Sequence, residues 1–186
     1  MTPPTTGPRP AARALRVMGV DPGITATGFA VLEAEPGGMA VVDSGVVSTA
    51  PSQVLEARLN AIHRAIYRLL ETLEPGLVIV EDLYTEYRFP RTAILMGHAR
   101  GVIYLAARQL GVAVMALTPS EVKRAVTGNG AAGKAQVQRA VQTLLGLEAA
   151  PRPSHVADAL GLAVTGMARV TGRVPMGRAV GAPAFR

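Results

Sequence analysis

The sequence predicts an α/β fold on a mixed five-stranded sheet, an antiparallel three-strand meander continued by parallel strands and flanked by helices. Three observations carry that expectation. Three apolar runs rich in β-branched residues come first, with Gly37-Gly38 as a turn between the second and third. Two shorter apolar runs, Leu77-Val78-Ile79-Val80 and Val112 to Leu117, each follow a segment of helical spacing, the alternation that builds strand-helix-strand crossovers. The chain has 186 residues, 49% of them hydrophobic, which suits one domain with a full core and argues against disorder.

Strands are predicted near Leu15 to Val20, Thr27 to Leu32 and Met39 to Val47. Val54 to Leu73 carries Leu55, Leu59, Ile62, Ile66, Leu69 and Leu70 at helical spacing, and Glu74-Pro75-Gly76 stops that helix before the fourth strand. Thr92 to Leu110 reads as the second helix and Val112 to Leu117 as the fifth strand. Thr118-Pro119-Ser120-Glu121 is a capping box with Pro at the first helical position, opening a short helix over 119–126, and another follows over 134–146. Ser154 reads as the N-cap of a last helix, His155 to Arg169. One folded domain is therefore expected over 15–170, between flexible tails 1–14 and 171–186. The first tail is rich in Pro and Thr and lacks the apolar core of a signal peptide, while Arg108 interrupts the most apolar helical region. The second tail is basic, rich in Gly and Pro, and without periodicity. A soluble, cytoplasmic protein is expected, with no membrane association. The absence of cysteine excludes disulfides and Cys-ligated zinc, so any metal must be held by carboxylate, imidazole or carbonyl groups.

Two strands run directly into acids. Met18-Gly19-Val20-Asp21-Pro22-Gly23 sets Asp21 at a strand end, with Thr27-Gly28 as a second small-residue turn, and the glycines are expected to let a bulky anionic substrate approach the backbone. Leu77 to Val80 leads into Glu81 and Asp82, whose charge would be costly to bury unpaired. The last helix then offers His155 and Asp158 at i and i+3 on one face of its first turn. Two strand acids and a helical His/Asp pair form an oxygen and nitrogen donor set suited to Mg²⁺ or Mn²⁺.

Asp21-Pro22-Gly23 with Thr27-Gly28, Val80-Glu81, Gly97-His98-Ala99-Arg100-Gly101, Gly128-Asn129-Gly130 with Lys134, and His155-Val156-Ala157-Asp158-Ala159-Leu160 resemble, in order, the motifs of the RuvC family of Holliday-junction resolvases. The resemblance runs from about Leu15 to Arg169. It implies a ribonuclease-H-like fold and a structure-specific endonuclease that resolves four-way DNA junctions in recombination and repair. Asp21, Glu81, His155 and Asp158 would be both its catalytic quartet and its metal ligands. Family members carry either Asp or His where His155 stands. Asp82 departs from the pattern, since a Gln is common there, and it reads as a solvated acid beside a functional one. Two Mg²⁺ or Mn²⁺ ions about 4 Å apart would support in-line attack of water on a phosphodiester, leaving 5′-phosphate and 3′-hydroxyl ends. Cutting two strands of like polarity calls for a twofold homodimer. A branch-migration motor of the RuvA and RuvB type is the further partner the resemblance implies. The kinase-like ATPases that open with a similar Asp-x-Gly loop are excluded by size, because that fold needs two such domains and a second phosphate loop.

A formal charge of +6 fits a polyanionic partner. The only lysines, Lys123 and Lys134, fall in one short segment and match family positions near the DNA strand entering the active site. Tyr84-Thr85-Glu86-Tyr87-Arg88-Phe89 gathers three of the seven aromatic residues in one loop. Tyr84 matches a family aromatic that stacks at the junction centre, and Arg88 and Arg91 are placed to meet phosphates. Phe89 is expected to anchor its loop, His63 to be structural within its amphipathic helix, and His98 to give packing or backbone support beside Gly97 and Gly101. Two other functions fit the same residues: a ribonuclease-H-like nuclease of RNA–DNA hybrids, and a junction-binding module without catalysis.

Overall fold

The computed structural model describes residues 14–83 and 90–172. Their elements are β1 (Arg16–Asp21), β2 (Ala26–Glu35), β3 (Gly38–Ser48), α1 (Leu55–Leu73), β4 (Leu77–Glu81), α2 (Pro90–Gln109), β5 (Ala113–Leu117), α3 (Pro119–Thr127), α4 (Lys134–Leu145) and α5 (Ser154–Thr171). The sheet has the order β3-β2-β1-β4-β5. β1, β2 and β3 pair antiparallel, and β4 joins β1 and β5 in parallel, so the meander and the crossover strands meet at β1.

Strand alternation divides the core into two layers. Val17 of β1 and Leu77 and Ile79 of β4 pack under α3, α4 and α5, whereas Met18, Val20, Val78 and Val80 pack under α1 and α2. β4 is apolar on both faces, as expected for a parallel strand covered on both sides. α1 meets the sheet through Ile62, Ile66 and Leu70, and stops where Glu74 turns left-handed at φ 47° and donates its N–H to the Leu70 carbonyl.

α5 is the innermost helix, buried at Val156, Ala157 and every residue from Ala159 to Met167. It lies close on β1 and β2 because glycine faces it. A Cβ on Gly19 would run into the carbonyl oxygen of Ala159, and one on Gly28 into the carbonyl oxygen of His155. From the helix side, a Cβ on Gly166 would strike Ile79. The start of α5 corrects the expectation for Ser154: Pro153 takes the N-cap position without a side-chain bond, and Ser154 is the first helical residue. The chain enters through extended backbone at Pro153, and the Pro153 carbonyl itself accepts from the Val156 N–H at 3.0 Å. The capping box at Thr118 and Glu121 forms as predicted. Among the described residues no helix is long and apolar enough to cross a membrane.

Candidate active site

Asp21 closes β1 and Glu81 closes β4, in neighbouring parallel strands whose register sets Val20 opposite Val80. Alternation puts Asp21 on the face of Val17 and Gly19, and Glu81 on the face of Leu77 and Ile79, which is the face α5 covers. Both carboxyls therefore meet the first turn of α5. There His155 Nδ1 lies 2.7 Å from Asp21 Oδ2, with the Asp21 side chain 10% exposed and the imidazole 43%. Asp158 follows at i+3, and one pocket is lined by Asp21, Glu81, His155 and Asp158. The structure thus brings together all four residues of the expected quartet.

The glycines beside Asp21 act differently from the expectation. Gly28 admits the backbone of His155 in place of a substrate, and Gly23 sits in a tight turn where a Cβ would strike the Ala26 carbonyl. Thr27 closes that turn, its hydroxyl donating to the Gly23 carbonyl at 2.7 Å. The missed signal was Gly19, a glycine in mid-strand that marks close approach of another backbone.

The second component of the pocket is cationic. Lys123 from α3 and Lys134 from the first turn of α4 line it, with Pro119, Val122, Val137 and Leu162 as its apolar wall. The acids are crowded enough to resist ionising together. Burial, then the charges of Asp21 and Asp158 and a hydrogen bond with Asp21, push Glu81 up to about 8, against the opposing pull of Lys134. Burial and then Asp21 also raise Asp158, with Lys134, His155 and Lys123 acting the other way. The lysines thus offset the negative charge only in part. Hard oxygen donors with unbalanced negative charge fit a divalent cation. Among the described residues no three such groups form a ready metal cage.

A pH dependence follows. Glu81 is raised in the folded protein from 4.5 to about 8, so the stability it contributes is complete below pH 4.5 and is lost as pH rises through about 8. The thermal midpoint of the protein in chelator should fall over that range, and more steeply than in Glu81→Gln. Added Mg²⁺ or Mn²⁺ should restore most of the loss at the alkaline end. Equal slopes for the two proteins would remove Glu81 as the cause.

The other expected residues fall elsewhere. Asp82 is not a free solvated acid: its Oδ1 lies 2.9 Å from Arg100 Nη1 on α2 and accepts from the Leu83 N–H at 2.9 Å. Alternation turns it to the face opposite Glu81. Arg91 is exposed in the first turn of α2 and does not line the acid pocket. Tyr84, Arg88 and Phe89 lie outside the described residues. His63 bridges α1 to α2 through Gln109 at 2.8 Å, a structural place as expected. His98 is exposed on α2.

Comparison with known proteins gives the family and the fold. The family model described as Crossover junction endodeoxyribonuclease RuvC matches residues 17–166. The Crossover junction endodeoxyribonuclease RuvC of Rhodopirellula baltica is 42% identical over 150 residues, covering 81% of this chain and 84% of that protein. The solved structure of T. thermophilus RuvC in complex with Holliday junction substrate aligns with a TM-score of 0.77 at 38% identity, covering 81% of this chain and 92% of that one. The Thermus thermophilus RuvC structure gives 0.78 at 37%, covering 85% and 97%. The fold is ribonuclease-H-like, as expected, and the chain belongs to the RuvC family of crossover junction endodeoxyribonucleases.

Proposed function

We propose that this protein is a structure-specific endonuclease that resolves four-way (Holliday) DNA junctions by paired phosphodiester hydrolysis, leaving 5′-phosphate and 3′-hydroxyl ends, in recombination and repair. The observation that carries the reading is one open pocket holding Asp21, Glu81, His155 and Asp158 opposite Lys123 and Lys134, on a chain of this family.

Asp21, Glu81, Asp158 and His155 hold two Mg²⁺ or Mn²⁺ ions in this proposal. When bound, the ions supply charge neutralisation at the phosphate and a more acidic water. The chain supplies the geometry. Asp21 and Glu81 are set by the backbone ladder of adjacent strands, so their spacing does not depend on flexible side chains. Asp21 fixes the His155 ring through Nδ1, which leaves Nε2 as the one nitrogen free to complete the metal shell or to assist proton transfer. Lys123 and Lys134 hold phosphate oxygens of the entering strand, Arg88 and Arg91 contact the backbone further out, and Tyr84 stacks on a base at the junction centre. One nuclease domain over 15–170 carries all of this between the tails 1–14 and 171–186.

The dimer that paired cutting requires has support on α2. Ile94 is 61% exposed and Leu105 51%, with exposed His98 and Gly101 between them at helical spacing. That stripe fits a second copy of the chain. A branch-migration motor of the RuvA and RuvB type is the proposed further partner, in the cytoplasm.

The test is to incubate the pure protein with a mobile four-way junction, a linear duplex and an RNA–DNA hybrid, each with Mg²⁺ or Mn²⁺. Paired nicks confined to the junction, with ends a ligase seals, are expected. Cleavage of the linear hybrid would make it a different ribonuclease-H-like nuclease. Binding of the junction without any nick would make it a recognition module.

A further inference from the structure

Two carboxylates stand next to each other at the end of β4, and only one of them enters the acid pocket. Glu81 faces α5, while Asp82, one residue on, faces α2. The main chain at that point is tied to the sheet, since the Asp82 N–H donates to the Leu117 carbonyl at 2.8 Å. The Asp82 side chain is held by Arg100, whose Nη1 lies 2.9 Å from Oδ1.

Arg100 is an unusual partner for a surface-edge acid. Its side chain is only 12% exposed, against 43% for Asp82. Its Nη2 donates to the Tyr104 hydroxyl, and its guanidinium carbon lies 5.2 Å from the centroid of the Tyr104 ring. Its Nε is buried with no hydrogen-bond partner among the described residues. A cation kept this deep with one N–H unsatisfied is held at a desolvation cost, and simple surface pairing does not require that. An exposed Lys would answer a solvated Asp equally well. A planar guanidinium locked by a tyrosine gives a fixed direction as well as a charge.

We infer that Arg100 is a positioning residue for the cleavage site: it neutralises and fixes the Asp82 carboxylate that strand alternation turns to the α2 side, so that the charge and conformation of the strand end are set for Glu81 alone. The inference rests on reading Glu81 as a functional acid of the pocket. Without Arg100, the Asp82 carboxylate is left uncompensated one residue after Glu81, on the strand end that carries that acid into the pocket. Its free charge then draws cations away from the pocket and repels the phosphate of the entering strand.

This account predicts suppression between two variants, which a merely structural ion pair does not. Arg100→Gln should lower the single-turnover cleavage rate at saturating junction by about tenfold to a hundredfold, the scale of a small misplacement at a reacting centre, with junction affinity unchanged. Adding Asp82→Asn to Arg100→Gln should recover much of that rate, because the charge that Arg100 restrained is gone. Arg16→Gln serves as the control, since it breaks an ion pair with Glu33 (2.6 Å) that lies at the far end of β1 from Asp21, and it should cut at the normal rate. The inference is overturned if Arg100→Gln cuts normally, if the double variant is no faster than Arg100→Gln, or if Arg16→Gln slows cleavage as much. Cleavage by Glu81→Gln at the wild-type rate, run alongside, would reject the underlying reading of the pocket, whatever the Arg100 variants do.

Discussion

Asp21→Asn, Glu81→Gln and Asp158→Asn each reduce junction cleavage by about a thousandfold or more while leaving junction binding intact. The size follows from what each change removes. A preorganised charge in a partly dry site acts on the developing transition state at the scale of about 10²–10³-fold per contact, and here each lost charge also weakens the cation shell. A thousandfold corresponds to about 4 kcal/mol of barrier. Binding is spared because each substitution is nearly isosteric and removes negative charge from a surface that meets phosphate. Affinity measured in Ca²⁺ or in chelator should hold steady or improve. Glu81→Gln should in addition stabilise the protein in chelator near pH 8, where the native side chain is otherwise obliged to ionise in a crowded site. Any one of the three cutting at the wild-type rate would remove that residue from the site.

Gly19→Val is expected to be the most damaging change outside the pocket. A Cβ on Gly19 overlaps the Ala159 carbonyl and would crowd the Ala163 nitrogen at 2.6 Å and the Leu162 Cβ at 3.0 Å, so the obstacles are mostly helix backbone that cannot rotate away. Overpacking of this kind costs about 3 kcal/mol, which for a domain of this length lowers the thermal midpoint by roughly 6–12 °C. Gly28→Ala makes a sharper comparison. Its Cβ would meet the carbonyl carbon of His155 at 2.6 Å and its Cβ at 3.0 Å, pushing at the turn that carries His155 to Asp21. Cleavage should therefore fall by more than the lost stability explains. A Gly28→Ala protein that melts lower yet cuts normally would show that α5 tolerates displacement at its first turn.

Much of this architecture was legible in the sequence because its signals are local. Both acids stand where an apolar strand ends, and alternation alone assigns Asp21 to the face of Val17 and Gly19. The i and i+3 spacing of His155 and Asp158 fixes them on one helix face before any tertiary contact is known. Lys123 and Lys134 stood out by composition. What the sequence could not supply is which helix lies on which face of the sheet. Gly28 therefore read as room for a ligand when it is room for α5, and Asp82 read as solvated because its partner Arg100 is 18 residues away on another element. Ser154 shows the same limit in miniature: a good capping side chain is bypassed when the chain enters the helix through the residue before it.

β4 itself has a consequence for how the fold finds its frame. Leu77, Val78, Ile79 and Val80 are apolar alike and sit between two apolar layers, so the strand's own side chains scarcely distinguish one pairing offset from the next. The two charges after it do. An offset of one residue in one direction draws Asp82 into the pocket and forces Glu81 into the layer under α1 and α2, where Met18, Ile66 and Ile103 offer it nothing polar. An offset the other way leaves Val80 at the mouth of the pocket and moves Asp82 off Arg100. The hydrophobic run keeps β4 inside the sheet, and the adjacent acids, read from opposite sides, act as its alignment mark.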